Sequence, residues 1–236
     1  MSHFRVLIFY KLVTRMKQWS DGIYLLQTFE FFRTGCWLLV NGNEAAVLEF
    51  PPYNSSFEQS PATVALKAVK ELGVRLTYLL CSHSHHDHYS TKTMKEFQKA
   101  FPEAQFVLQE GFKNDVVLPK NNIQFFQNQY ILYIDGEPLV LEHAPKHSMT
   151  DTMVIFKGSV CTGDWELNTL ISCHDDKPRY AVPTKVKLES IEKMSQFQQK
   201  FGYYIHTIYS AHANDFRKDI DFTSLMESTS SPSLPY

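Results

Sequence analysis

The chain has 236 residues, of which 44% are hydrophobic and 20% charged, and its formal charge is -2. That supplies a real core, in one large domain or two small ones, and excludes a global electrostatic pull on nucleic acid or anionic lipid. Aromatic residues reach 14%, with 18 Phe and 12 Tyr, which suits a sheet-rich core.

Residues 1–18 read as an N-terminal extension or an extra strand, with a strand candidate over 4–13. The apolar run 6–10 is short and Lys11 follows at once, so it does not resemble a secretory signal. No stretch approaches the roughly 20 apolar residues of a membrane span. The expectation is a cytoplasmic protein without membrane contact. Cys36, Cys81, Cys161 and Cys173 form no C-x-x-C pair and read as buried thiols in a reducing compartment.

Organised patterning begins at 19–26, a turn followed by a strand. Residues 36–40 and 45–50, joined through Asn41-Gly42-Asn43, read as a hairpin that Pro51-Pro52 ends. Ser60-Pro61 opens a helix with Ala62, Leu66, Val69 and Leu72 at helical spacing and Gly73 at its end. An apolar strand, 76–81, follows, and Ser90 or Thr91 caps a second helix with Met94, Phe97 and Phe101 on one side. Residues 105–108 form another strand. From 123 to 141 the pattern is strand-like, with a turn at Asp135-Gly136, and strands at 152–156 and 160–162 come next. Residues 183–201 form the longest helical candidate, with Leu188, Ile191, Met194, Phe197 and Phe201 facing inward. A buried strand over 203–210 is the last. Periodicity fades beyond Asp215, so 19–214 is the expected domain and 215–236 a C-terminal tail, flexible at its Ser- and Pro-rich end.

The chemistry concentrates in His83-Ser84-His85-His86-Asp87-His88, directly after the 76–81 strand. Imidazole and carboxylate are ligands that Zn²⁺ accepts. His83 and His85 share a direction through the alternation of an extended chain, and Asp87 and His88 follow where the backbone can turn. Three further candidates each stand just after a strand: His147, Asp164 and His212. If those strand ends converge, seven ligands meet: His83, His85, Asp87, His88, His147, Asp164 and His212.

The cluster is an H-x-H-x-D-H motif, and with the later His-Ser, Gly-Asp and final His it resembles the metallo-β-lactamase superfamily over residues 19–213. The resemblance implies an α/β fold, a four-layer αββα sandwich with two mixed β-sheets flanked by helices. It implies that His83, His85 and His147 bind a first metal and that Asp87, His88 and His212 bind a second. Asp164 would bridge them beside a hydroxide, and Asp87 would also orient that nucleophile. Two zinc ions are expected, with iron or manganese as alternatives. The motif is followed by Tyr89 rather than a small residue, placing Tyr89 at the expected pocket rim. Glu49 stands where many members carry an aspartate ending the early hairpin.

The function implied is metal-dependent hydrolysis of an ester, thioester or lactone of a small molecule, in the manner of glyoxalase II or lactonases. A true β-lactamase fits less well, because that group generally lacks an aspartate at the position of Asp164. Phosphodiester cleavage and iron-dependent redox chemistry are the alternatives; the slightly acidic chain argues against nucleic acid, and His85 against a flavodiiron site. Oligomeric state is not readable. Among other residues, His86 is expected to point away, His174 and its acidic neighbours to lie on the surface, and His206 to be packed or hydrogen-bonded. Trp165 fits a pocket wall or the core, and Ser148 and Asp151 fit imidazole partners or turn residues.

Overall fold

Strand β3 (Thr34–Asn41) sends its side chains alternately into two separate cores. Cys36 and Leu38 pack on one side, Trp37 and Leu39 on the other. Strand β4 (Glu44–Leu48) repeats this, with Ala45 and Val47 in the first core and Ala46 and Leu48 in the second. A period of two with apolar residues on both faces means a sheet covered on both faces.

In the computed structural model, which describes residues 16–29, 32–117 and 122–231, the first sheet has seven strands in chain order. They are β1 (Lys17–Ser20), β2 (Ile23–Phe29), β3, β4, β5 (Arg75–Leu80), β6 (Gln105–Gln109) and β7 (Ile123–Phe126). β1 to β4 pair antiparallel, and β4 to β7 pair parallel. The parallel strands are linked by α1 (Pro61–Leu72) and α2 (Thr91–Ala100), whose apolar faces cover the outer side. Ser60 caps α1 by accepting from Thr63 N, and Gly73 closes it at φ 69°. Ser90 caps α2 in the same way.

The second sheet has six strands in the order β13-β12-β11-β10-β9-β8. These are β8 (Gln129–Ile134), β9 (Glu137–His143), β10 (Thr152–Phe156), β11 (Ser159–Cys161), β12 (Thr207–Tyr209) and β13 (Phe216–Lys218). Along β10, Val154 and Phe156 face the first sheet, while Met153 and Ile155 face α3 (Thr184–Ser195), α4 (Phe197–Phe201) and α5 (Phe222–Thr229). The layers are therefore helix, sheet, sheet, helix, as the resemblance implies. No helix among the described residues is long and apolar enough to cross a membrane.

Four readings shift. Lys17–Ser20 is already sheet, so the domain reaches slightly beyond the expected boundary; the strand candidate over 4–13 lies outside the described residues. The long helical candidate is two helices, broken at Gln196, and Leu188 and Phe201 are exposed while Ile191, Met194 and Phe197 are buried. Lys187, a polar residue, takes an inward position because it has anionic and carbonyl partners. Residues 216–229 are not tail: β13 pairs with β12, and Phe222 and Met226 of α5 are fully buried. Four apolar residues spread over a short helix and a three-residue edge strand give too few repeats for periodicity to register. Residues 232–236, the end of the expected tail, lie outside the described residues.

Replacing Phe222 by Ala should destabilise the fold by about 3–5 kcal/mol, measured by denaturant unfolding, as large core truncations do. A change below about 0.5 kcal/mol would show that α5 is not part of the cooperative core.

Candidate metal centre

The seven candidate ligands come together at one edge, between the two sheets. His83, His85, Asp87 and His88 follow β5 of the first sheet; His147, Asp164 and His212 follow β9, β11 and β12 of the second. Two hydrogen bonds to one carbonyl tie the sheets there: the backbone Gly35 N and the side-chain Trp37 Nε1 both donate to Ala211 O, at 2.9 and 3.2 Å. A Cβ at Gly35 would stand 2.9 Å from that carbonyl, so only glycine admits the approach.

Two clusters of ligand atoms result, His83 with His85 and His147, and Asp87 with His88, Asp164 and His212. His85 Nδ1 and His147 Nε2 are 3.2 Å apart, and His88 Nε2 and His212 Nε2 are 3.3 Å apart. Asp164 Oδ2 joins the clusters: it is 3.1 Å from both His88 Nε2 and His212 Nε2, 3.8 Å from His147 Nε2 and 3.9 Å from His83 Nε2. Asp87 Oδ2 lies 3.4 Å from His88 Nε2 and 3.6 Å from His212 Nε2.

These separations fit metal coordination. Ligands bound tetrahedrally at 2.0–2.1 Å stand about 3.4 Å from one another. Buried His83 Nε2 and Asp164 Oδ1 have no hydrogen-bond partner, a costly state unless a cation accepts them. The first cluster can hold one ion and the second another, with Asp164 facing both.

The charges follow from this crowding. Burial, together with the neighbouring imidazoles His147 and His174, pushes His85 down to about 4. Burial and His88 hold His83 well below its ordinary value, so both rings are neutral and able to coordinate a cation. Burial would raise Asp164, but His88, His212 and His83 hold its carboxyl far below the usual carboxylate range. Burial also opposes the charging of His88, yet the carboxylates of Asp164 and Glu49 outweigh it and raise that ring. A divalent ion would replace that proton and serve the same carboxylates.

Four of the five rings are aimed by a contact on the far side. His212 Nδ1 donates to Phe32 O at 2.8 Å, leaving Nε2 free for the centre. His83 Nδ1 meets Ser82 Oγ at 3.0 Å, and His147 Nδ1 lies 3.4 Å from Glu166 Oε1. His88 Nδ1 is 3.5 Å from Glu49 Oε2, an ion-pair contact rather than a formed hydrogen bond. Glu49 is fully buried at φ 80°, accepting from Ser82 N and Cys81 Sγ. Such outer contacts fix tautomer and orientation.

No family model and no curated protein matches the sequence. Solved structures do match. A metallo-β-lactamase from Pontibacter korlensis superposes with a TM-score of 0.64 at 14% identity, covering 92% of this chain and 97% of that one. One from Novosphingobium pentaromativorans gives 0.61 at 13% identity, over 89% and 85%. A metallo-β-lactamase family protein from Thermus thermophilus gives 0.57 at 17%, over 88% and 78%. The chain has the metallo-β-lactamase fold.

Within the metallo-β-lactamase fold, some neighbours of the centre take an expected place and others do not. Tyr89 is not at the rim: it is buried, its ring lies against Phe112, and its hydroxyl donates to Asp115 O. Trp165 belongs to the core, donating from Nε1 to Ala144 O. Asp151 serves no ring; its Oδ2 accepts from the backbone N–H groups of Lys146, His147 and Ser148, holding the loop that carries His147. Ser148 donates to Asp151 Oδ1 in that same loop. His86 is exposed, as expected, beside Phe32. His206 is exposed and hydrogen-bonded through Nδ1 to Thr207 Oγ1, and His143 binds Met149 O away from the centre.

His174 is the larger correction. It is not remote surface: its ring centroid is 4.6 Å from that of His147 and 4.9 Å from that of His85. A surface strap over residues 166–182 brings it there. Glu166 anchors that strap by accepting from Cys173 N at 2.9 Å, Ser172 Oγ at 3.2 Å and the buried Lys146 Nζ at 3.2 Å. Buried Lys187 ion-pairs with Asp175 and donates to Leu170 O. From the far side α5 holds the strap, with Thr229 Oγ1 accepting from Asn168 N and Ser231 O from Leu170 N. Glu166 stands two residues after Asp164, and that adjacency was the available signal for it.

Burial would raise the Glu166 carboxyl, but His147 and Lys146 hold it well below the usual range. Its contribution to stability is therefore complete above the ordinary carboxylate pKa of about 4.3 and is lost as pH falls through the depressed folded value. Glu166→Gln should cost on the order of 2 kcal/mol at neutral pH. In urea titrations of metal-free protein that deficit should shrink steadily below about pH 4. A deficit independent of pH would show that the charge of Glu166 is not what matters.

Proposed function

We propose that the protein is a hydrolase that uses two zinc ions to cleave an ester, thioester or lactone bond of a small molecule. The observation that carries this is Asp164 Oδ2, placed within 3.9 Å of imidazole nitrogens from both clusters. One carboxylate shared by two imidazole sets is a bridging arrangement. His83, His85 and His147 would hold one ion, and Asp87, His88 and His212 the other. Bound there, two divalent ions would supply an acidified water as nucleophile and Lewis-acid stabilisation of the oxygen that gains charge.

The remaining work falls to the chain. Neutral imidazoles leave the centre electrophilic, while Asp164 removes part of the charge and fixes the spacing. Asp87 is half-buried at the mouth, with its carboxyl held low despite burial by a hydrogen bond from His88. It is therefore a permanent acceptor, able to orient the attacking water through that water's proton. The fully buried floor of Glu49, Ser82 and His83 excludes bulk water from beneath the centre. The carboxylate bridge favours this reading over β-lactam cleavage, although the superposed proteins include β-lactamases.

Protein purified without added metal should carry two zinc ions per chain by elemental analysis; a single iron would overturn the hydrolase reading. Asp164→Ala should lose metal and at least about 100-fold of its turnover. A panel of thioester, lactone, aryl ester, β-lactam and bis-nitrophenyl phosphate substrates ranks the bond types. Preference for the phosphodiester, or wild-type turnover in Asp164→Ala, would contradict the proposal.

A further inference from the structure

His147 has two ring nitrogens, and only Nε2 faces the centre. On the opposite side, Nδ1 lies 3.4 Å from Glu166 Oε1 and 3.9 Å from Cys173 Sγ. The adjacent residue, His174, packs its ring on that of His147. His147, Cys173 and His174 each offer a ligand atom within 4.8 Å of the other two. We propose that these three residues form an accessory site, at the mouth of the centre, for a divalent ion that favours sulfur and nitrogen, such as zinc or cobalt.

The donor chemistry selects the ion. A thiolate with two imidazoles suits zinc and cobalt and is a poor match for magnesium or calcium, which take oxygen. A sulfur bound at 2.3 Å and a nitrogen at 2.0–2.1 Å stand about 3.6 Å apart in a tetrahedral site. The observed 3.9 Å between Cys173 Sγ and His147 Nδ1 is within a few tenths of that. Access is from solvent: Cys173 is exposed and His174 half-buried. Lys177 Nζ stands 3.5 Å from His174 Nδ1, and this exposed ammonium would withdraw as the ion enters. The strap is already fixed by Lys146, Lys187 and α5, so little ordering is needed.

Binding releases the Cys173 thiol proton and the His147 Nδ1 proton to solvent; no electron is transferred. His147 then bridges the accessory ion and the centre through its two nitrogens. An ion so placed would draw the strap and the first cluster together across the mouth, and excess metal would restrain access to the centre. This rests on the reading of His147 Nε2 as a ligand of the centre, and not on which bond is cleaved.

The test is a cobalt(II) titration of metal-free, full-length protein. Visible d–d bands from the imidazole–carboxylate centre should appear first. At higher loading an intense near-ultraviolet thiolate-to-cobalt band should follow. Cys173→Ser should abolish that band and keep the d–d bands, and His174→Ala should weaken the binding that produces it by about 10-fold or more. Circular dichroism confirms that both variants are folded. The proposal is overturned if wild-type protein shows no thiolate band at any loading, or if Cys173→Ser retains it. Centre bands without a thiolate band would leave the hydrolase reading standing. A thiolate band alone would remove the centre and keep the accessory site.

Discussion

A buried imidazole can satisfy one nitrogen with a protein partner far more easily than two. This structure is arranged around that asymmetry. His83, His147 and His212 each meet Ser82, Glu166 or Phe32 on the outer side, and His88 meets Glu49. Every inner nitrogen is then left to converge near Asp164, whose single carboxylate faces all of them. Close packing of unmatched donors is unfavourable by itself. It persists because the two-sheet scaffold over-determines the strand ends that carry these residues.

The scaffold and the convergence of the inner imidazoles and carboxylates were legible because each rests on a local signal. Alternation along β3 and β4, caps at Ser60 and Ser90, and the spacing in 83–88 depend only on near neighbours in sequence. The outer partners were not legible for the opposite reason. Glu49 meets His88 across 39 residues of chain, and Phe32 meets His212 across 180. Nothing in the local pattern around Glu49 distinguishes a buried carboxylate from a polar turn residue. Tyr89 shows the reverse failure. Its place beside the motif suggested the pocket, but a large ring with one hydroxyl is as well satisfied in a core that offers a carbonyl, here Asp115 O.

The strap over 166–182 unites features that look unrelated in sequence. Two fully buried lysines, Lys146 and Lys187, are costly unless paired, and both pair with carboxylates of this one segment. α5 and the residues just after it grip it from the other side. A loop this irregular holds one conformation because charges beneath it and a helix beside it leave few alternatives. The surroundings of the centre are thus built by a segment separate from the strand ends that carry the candidate ligands.

Glu49 has a further effect on the chemistry of sulfur. Burial raises the thiols of Cys36, Cys81 and Cys161, and the carboxylate of Glu49 pushes each of them further up. All three are sealed from solvent, whereas Cys173 is exposed. The folded protein consequently presents a single solvent-exposed thiol, positioned against the ring of His147. A fluorophore or spin label attached at that position would report on the occupancy of the centre from within contact distance, without any cysteine being engineered in or out.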